Sequence, residues 1–95
     1  MERIALSRRA VKDLRRIGPG SALSRIREAL DALAGNEQSV DVKALRGQSP
    51  WLRLRVGDYR ILYRPLLQDE SAEDSYLVAR VIHRSELDRA VGTLA

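Results

Sequence analysis

The chain is 95 residues long, enough for one hydrophobic core and not for two, so a single domain over residues 1–95 is expected. Its 17 basic residues, all arginine except Lys12 and Lys43, outweigh 13 acidic ones to a net charge of +4 and a pI near 10.1, a balance that favours a polyanionic partner. The absence of cysteine excludes disulfides, thiolate zinc sites and cysteine nucleophiles, and the single histidine argues against an all-protein metal site, so no metal or other cofactor is expected.

No apolar run approaches the ~20 residues that span a bilayer, and "MERIALSRRA" lacks the apolar core of a signal peptide. A cytoplasmic protein of bacterial type, with no membrane partner, is the expectation. "RIALS" alternates enough to open the chain as a short strand, after which Ser7 can cap a helix. Ala10, Val11, Leu14 and Ile17 fall at helical spacing, and Arg8, Arg9, Lys12, Arg15 and Arg16 fill the solvent side. "GPGS" stops that helix, because Gly18 accepts a left-handed cap and Pro19 forbids continuation. A second helix follows through Leu23, Ile26, Leu30 and Leu33 until Gly35, and "GNEQSVDVKALRGQSP" reads as a polar surface connector.

The period then drops to two. Leu52, Leu54 and Val56 point one way and Trp51, Arg53 and Arg55 the other, with Gly57 and Asp58 as a two-residue hairpin loop. That loop sets Val56 opposite Tyr59, Leu54 opposite Ile61 and Leu52 opposite Tyr63, which makes one face apolar. On the reverse face Arg55 meets Arg60, with Arg53 one pair further along and Trp51 facing Arg64. Like charges opposed across a strand pair cost up to ~1 kcal/mol, so a partner that neutralises them is implied. "PLLQDESAED" leads out of the hairpin as a loop whose Asp69, Glu70, Glu73 and Asp74 form an acidic patch, and "YLVARVIH" is the last strand. Its faces are ambiguous from the sequence: if Leu77, Ala79 and Val81 go to the core, then Tyr76, Val78, Arg80 and Ile82 join the arginine face. "RSELDRAVGTLA" closes the chain as a short helix or a tail.

The order of strand, two helices and a three-stranded meander, with "LRG" at Leu45 to Gly47, "YRILY" in the hairpin and "HRSE" at His83 to Glu86, resembles the RelE/ParE superfamily of type II toxin–antitoxin toxins. The resemblance covers nearly the whole chain and implies an α+β fold, two N-terminal helices packed on a four-stranded, antiparallel-rich sheet in the order β-α-α-β-β-β. It favours the RelE branch, whose members cleave mRNA on the ribosome without a metal, the ribose 2′-hydroxyl attacking the adjacent phosphate. In that scheme Arg60 falls on the family's phosphate-stabilising arginine and Arg53 on a basic position of the same hairpin. Leu87 and Asp88 occupy the place of the branch's tyrosine, and Ile82 that of a second arginine. Arg80 or Arg84 is therefore a candidate substitute for the arginine, and His83 a candidate for proton transfer or, as readily, a structural cap of the strand end. Lys43, Arg46, Trp51, Arg55 and Arg84 are the expected RNA contacts, with Trp51 either stacking a base or covering the sheet. The partners so implied are a cognate antitoxin, the ribosome with its mRNA and rRNA, and, in a ParE-like alternative without nuclease chemistry, DNA gyrase; a further alternative is an inactive, antitoxin-binding homologue.

Overall fold

In the computed structural model, which describes residues 4–35, 40–66 and 75–94, the chain runs β1 (Ile4–Leu6), α1 (Arg8–Ile17), α2 (Ser21–Ala34), β2 (Asp41–Ala44), β3 (Leu52–Val56), β4 (Tyr59–Leu66), β5 (Ser75–His83), a 3-10 turn (Arg84–Glu86) and α3 (Leu87–Val91). Ser7 caps α1, its hydroxyl accepting the Ala10 N–H at 3.0 Å. Gly18, at a φ of 74°, closes the same helix in a conformation that favours glycine, and its N–H reaches the Leu14 carbonyl at 3.1 Å. No helix among the described residues is long and apolar enough to cross a membrane.

The described strands form one sheet in the order β1-β5-β4-β3-β2, with β1 parallel to β5 and the remaining pairs antiparallel. The hairpin register is the one its loop predicts: Leu52 pairs with Tyr63, Leu54 with Ile61, Arg55 with Arg60 and Val56 with Tyr59. Leu54, Ile61, Tyr63, Val78 and Val81 face the helices and bury against Ala10, Ile26, Leu30 and Leu33, with Leu14 and Ile17 packed alongside. Each fully buried Leu, Ile or Val of this set contributes about 1.5–3 kcal/mol of apolar transfer.

Three expectations need correction. The sheet has five strands, not four, because Asp41–Ala44, read as connector, pairs with β3. It is an edge strand in which only Val42 packs on the core, so a four-residue stretch carrying Asp41 and Lys43 shows no apolar period. The last strand carries a bulge: Leu62 pairs with Arg80 but Tyr63 with Val78, leaving Ala79 unmatched. Upstream of Ala79 the faces therefore exchange, so that Val78 is buried in the main core and Tyr76 packs against it, while Val81 and Ile82 keep their expected sides. Finally, the face away from α1 and α2 is not wholly basic, because α3 lies over Leu62 and Ile82 and forms a second apolar cluster with Ala90, Leu45, Leu87, Val91 and Leu94. The acidic patch at Asp69, Glu70, Glu73 and Asp74 lies outside the described residues.

Beyond Leu6, α1 takes the place of a strand beside β5. Ser7 donates its backbone N–H to Val78 O at 2.9 Å and its hydroxyl to the carbonyl of the bulged Ala79 at 2.7 Å. One turn and a half further on, Asp13, only 5% exposed, accepts the Val81 N–H at 2.9 Å and is gripped by Arg80 through Nε at 2.9 Å and Nη2 at 3.2 Å. That hydrogen bond is also what raises the Arg80 pKa, outweighing its partial desolvation. Asp13→Ala leaves a half-buried guanidinium and a buried N–H without acceptors, so urea denaturation should show a loss of about 3 kcal/mol or more; a loss under about 1 kcal/mol would mean that α1 is held by apolar packing alone.

Tyr63 supplies an independent check on the main core. Burial, with a smaller contribution from the Tyr76 phenol in edge contact at 5.6 Å, pushes its pKa from 10.0 up to about 12. A folded-state value above the unfolded one means stability intact below pH 10 and lost as the pH rises toward about 12. Urea midpoints of the parent chain should fall more steeply across that window than those of Tyr63→Phe, and parallel curves would place the ring in solvent.

Candidate nucleic-acid interface

On the sheet face away from α1 and α2, strand pairing sets side chains in cross-strand rows whose neighbours are about 4.8 Å apart. One row runs Asp41, Arg55, Arg60, Ile82 and the next Lys43, Arg53, Leu62, Arg80. Ile82 and Leu62 belong to the apolar cluster under α3, and the cations of the two rows lie on either side of them in the strand order. Arg84, one residue past β5, joins from the far side: its backbone N–H donates to the Asp58 carbonyl at 2.7 Å and its Nε lies 3.7 Å from the Asp58 carboxylate.

The cations are held in different ways. Arg60 curls back over the hairpin loop, Nη1 donating to the carbonyls of Gly57 and Tyr59 at 2.9 Å each. Gly57, at a φ of 57°, makes the turn that presents its carbonyl there. Partial desolvation, then the charges of Arg53, Arg55 and Arg84, lower the Arg60 pKa, while Asp41 opposes the shift. Arg55 has only a loose pair with Asp41, at 3.9 Å between exposed groups. Arg53 is the most exposed to cost: its Nη1 is buried without any hydrogen-bond partner. A guanidinium nitrogen withdrawn from water in this way lacks an acceptor that an anionic ligand can provide.

The structure therefore brings together Arg53, Arg55, Arg60 and Arg84, with Lys43 beside Arg53 on the edge strand. Arg46 sits exposed in the turn between β2 and β3, where Gln48 N–H donates to Leu45 O at 3.0 Å. Trp51 leads into β3 with the Arg64 guanidinium carbon 5.8 Å from its ring centroid, the pairing that the hairpin register predicts. Two candidates are placed elsewhere. Arg80 has Nε and Nη2 on Asp13, so it anchors α1 instead of presenting those donors to a phosphate.

His83 is separated from Arg60 by the sheet itself. Arg60 pairs with Ile82 of the α3-covered face, and His83, one residue on, points to the opposite side with Tyr59. Its ring meets Tyr59 edge-on at 5.8 Å, and its Nδ1 accepts the Ser85 N–H at 3.2 Å and lies 2.9 Å from the Ser85 hydroxyl. That is the capping role of a residue at a strand end. The period-two alternation of β5 thus sets the His83 and Arg60 side chains on opposite sides of the sheet. Sequence reasoning passed over Asp13, although the signal was there: it is the only acid in α1 and falls between Ala10 and Leu14 on the apolar stripe.

Comparison with known proteins adds the context. The family model described as the ParE toxin of type II toxin–antitoxin system, parDE, matches residues 4–88. The chain is 29% identical over 89 residues to Toxin RelE3 of Methanocaldococcus jannaschii, covering 90% of this chain and 93% of that protein. Among solved structures it is similar to a RelB-RelE antitoxin-toxin complex from Methanococcus jannaschii, with a TM-score of 0.67 and 25% identity over 90% of this chain and 96% of the matched one. A RelE-RelB complex from Pyrococcus horikoshii OT3 gives a TM-score of 0.64 and 25% identity over 86% and 93%.

Crowded cations at a solvent-facing surface predict a stability cost that salt removes. Arg55→Gln should stabilise the free protein by a few tenths to about 1 kcal/mol at low ionic strength, the gain vanishing near 1 M salt where the Debye length is ~3 Å. Chemical denaturation at the two ionic strengths measures this, and a variant less stable than the parent at low salt would show that the Asp41 pair outweighs the repulsion.

Proposed function

The chain belongs to the ParE toxin family of type II toxin–antitoxin systems, and from that premise we propose that it is a metal-independent endoribonuclease that cleaves mRNA on the ribosome in the cytoplasm and is neutralised by a cognate antitoxin. The observation that carries this reading is the arginine face, above all the buried and unpartnered Nη1 of Arg53 among Lys43, Arg55, Arg60 and Arg84. A phosphodiester laid across it would, with a turn of the Arg53 side chain, give Nη1 its missing acceptor and would offset the repulsion that adds to desolvation in lowering the Arg60 pKa.

In the proposed reaction the 2′-oxygen attacks the adjacent phosphorus and loses its proton to water, which returns a proton to the leaving oxygen. The bond to the 5′-oxygen breaks and that oxygen gains a proton, leaving a 2′,3′-cyclic phosphate and a 5′-hydroxyl. Arg60, already oriented by two carbonyls of the hairpin loop, is assigned to the charge that develops on the phosphorane oxygens. Arg53 and Arg55 hold the neighbouring backbone, and Lys43, Arg46 and Arg84 extend the positive surface along it. Arg80 contributes through Asp13 and the placement of α1. Cations and in-line positioning supply most of the available catalysis in this scheme, since the described part of the face holds no imidazole or phenol beside Arg60. An antitoxin suited to this surface is acidic, and RelB-RelE complexes are the assemblies in which similar chains are found.

The same lack of an imidazole or phenol favours a second reading, in which the surface binds without cutting, as in a ParE-like inhibitor of DNA gyrase. Primer extension on mRNA in a purified translation system, with gyrase supercoiling assayed in parallel, separates the two. On the ribonuclease reading Arg60→Ala lowers cleavage by two orders of magnitude or more, in line with removal of one transition-state donor, while His83→Gln stays within a few-fold of the parent. Intact mRNA with inhibited gyrase would transfer the protein to the second reading, and a His83→Gln loss as deep as that of Arg60→Ala would overturn the placement of the site.

A further inference from the structure

The arginine face does not end at Arg53. Two residues earlier on the same strand face, about 7 Å along the chain, stands Trp51. Beside it is a cavity of about 210 Å³ closed by the first turn of α1 and the end of the chain after α3, with Ser7, Arg8, Arg9, Thr93 and Leu94 among its walls. That volume is below the ~300 Å³ at which sites for whole small-molecule ligands begin, so it suits one ring system and not a complete nucleotide.

Its walls are unequal in a way that points to a ligand class. The Trp51 backbone is pinned at both ends, its amide N–H donating to Gln48 O at 2.8 Å and its carbonyl accepting the Leu45 N–H at 3.0 Å, and the Arg64 guanidinium carbon stands 5.8 Å from the indole centroid. The polar groups lining the cavity are largely committed elsewhere. Ser7 donates its hydroxyl to Ala79 O at 2.7 Å, Thr93 donates its hydroxyl to Ala90 O at 2.7 Å, and Arg80 is bound to Asp13. Arg8 and Arg9, by contrast, are exposed and meet no carboxylate among the described residues. An aromatic wall, few free hydrogen-bonding groups and two unengaged guanidinium groups at the mouth are the combination that takes a stacked base with its phosphates outside.

We propose that this cavity is a nucleobase subsite, in which one base of single-stranded RNA stacks on Trp51 while the flanking phosphates meet Arg8 and Arg9. It rests on the RNA-binding reading above and extends it, since it lengthens the track of the RNA from the Arg53–Arg60 rows past the end of β3 toward α1. With the Ser7 and Thr93 hydroxyls and Arg80 already engaged, the subsite holds a base by its face and tolerates any of the four.

Trp51 is the chain's lone tryptophan, so its fluorescence reports this cavity directly. The free toxin is titrated with a short single-stranded 2′-O-methyl oligoribonucleotide, which cannot be cleaved, and with an abasic phosphodiester of the same length; anisotropy of a labelled oligonucleotide reads affinity in parallel. The expected result is saturable quenching by the oligonucleotide and little by the abasic chain. Trp51→Ala should weaken binding by about 5- to 150-fold with Trp51→Phe closer to the parent, and Arg8→Gln combined with Arg9→Gln should flatten the log–log salt slope by about 1.4. Thermal denaturation establishes that each variant is folded. Equal quenching by the abasic chain, unchanged affinity in a folded Trp51→Ala protein, no binding at all, or equal quenching by an acidic peptide, which would make the cavity a protein-docking site, each overturns the subsite. The primer-extension assay stays independent: mRNA cleavage abolished by Arg60→Ala, together with an oligonucleotide that binds without reaching Trp51, would remove the subsite and leave the ribonuclease reading in place.

Discussion

Past Leu6 no strand among the described residues lies beside the outer edge of β5, and the carboxylate of Asp13 supplies the acceptor that a neighbouring strand would have supplied. Much of the architecture depends on that substitution. It seats α1 along the sheet, holds Arg80 in a bidentate ion pair, and fixes the register of β5 next to its bulge. A slip of one residue there would send Val81 out of the main core and Ile82 into it, because successive residues of a strand face opposite sides. Burying a carboxylate is costly in itself, and full satisfaction of its oxygens by a guanidinium and a backbone N–H is what makes it tolerable.

The same sheet serves two surfaces of opposite character. Its helix-facing side is an ordinary apolar core, and its other side is divided between a small apolar cluster under α3 and a basic field on β2, β3 and the start of β4. The division follows from the rows of cross-strand neighbours, since each row begins in charged residues at the β2 edge and passes through Leu62 or Ile82 toward β5. Within the basic field the fold provides only partial relief. Asp41 and Asp58 stand at its margin, Arg60 leans on two loop carbonyls, and Arg53 keeps one nitrogen unsatisfied. A surface that retains such a cost in the free protein is organised for something that arrives from outside, which for a family of toxins means either the target or the antitoxin.

Chemistry on that surface has to be reconciled with where the titratable side chains lie. Tyr59, Tyr63 and Tyr76 all pack toward the helices, and His83 joins Tyr59 on that side while capping the turn that follows β5. Arg53, Arg55 and Arg60 are thus separated from these phenol and imidazole groups by the thickness of the sheet. Any nuclease activity then relies on charge stabilisation and on the in-line geometry imposed by a bound RNA, for which a base clamped at a distance from the reacting phosphate is a natural contributor.

Much of this was legible in the linear chain because the interactions concerned are local. The Ser7 cap, the stop at Gly18 and Pro19, the apolar stripes of α1 and α2 and the full register of the β3-β4 hairpin follow from helical spacing, turn chemistry and alternation within about fifteen residues. With the hairpin register came the opposition of Arg55 and Arg60 and the nearness of Trp51 to Arg64. What the chain order left open were the relations made over long separations. The pairing of Asp41–Ala44 as a fifth strand, the bulge at Ala79, the reach of Asp13 to Arg80 and Val81, and the folding of α3 over Leu62 and Ile82 all join segments whose patterns are individually too short or too polar to announce a partner. The bulge was decisive for the faces of Tyr76 and Val78, because alternation is a strictly local rule that one extra residue resets. Only packing against the neighbouring strand and the edge contacts from Ser7 and Asp13 determine where that reset falls.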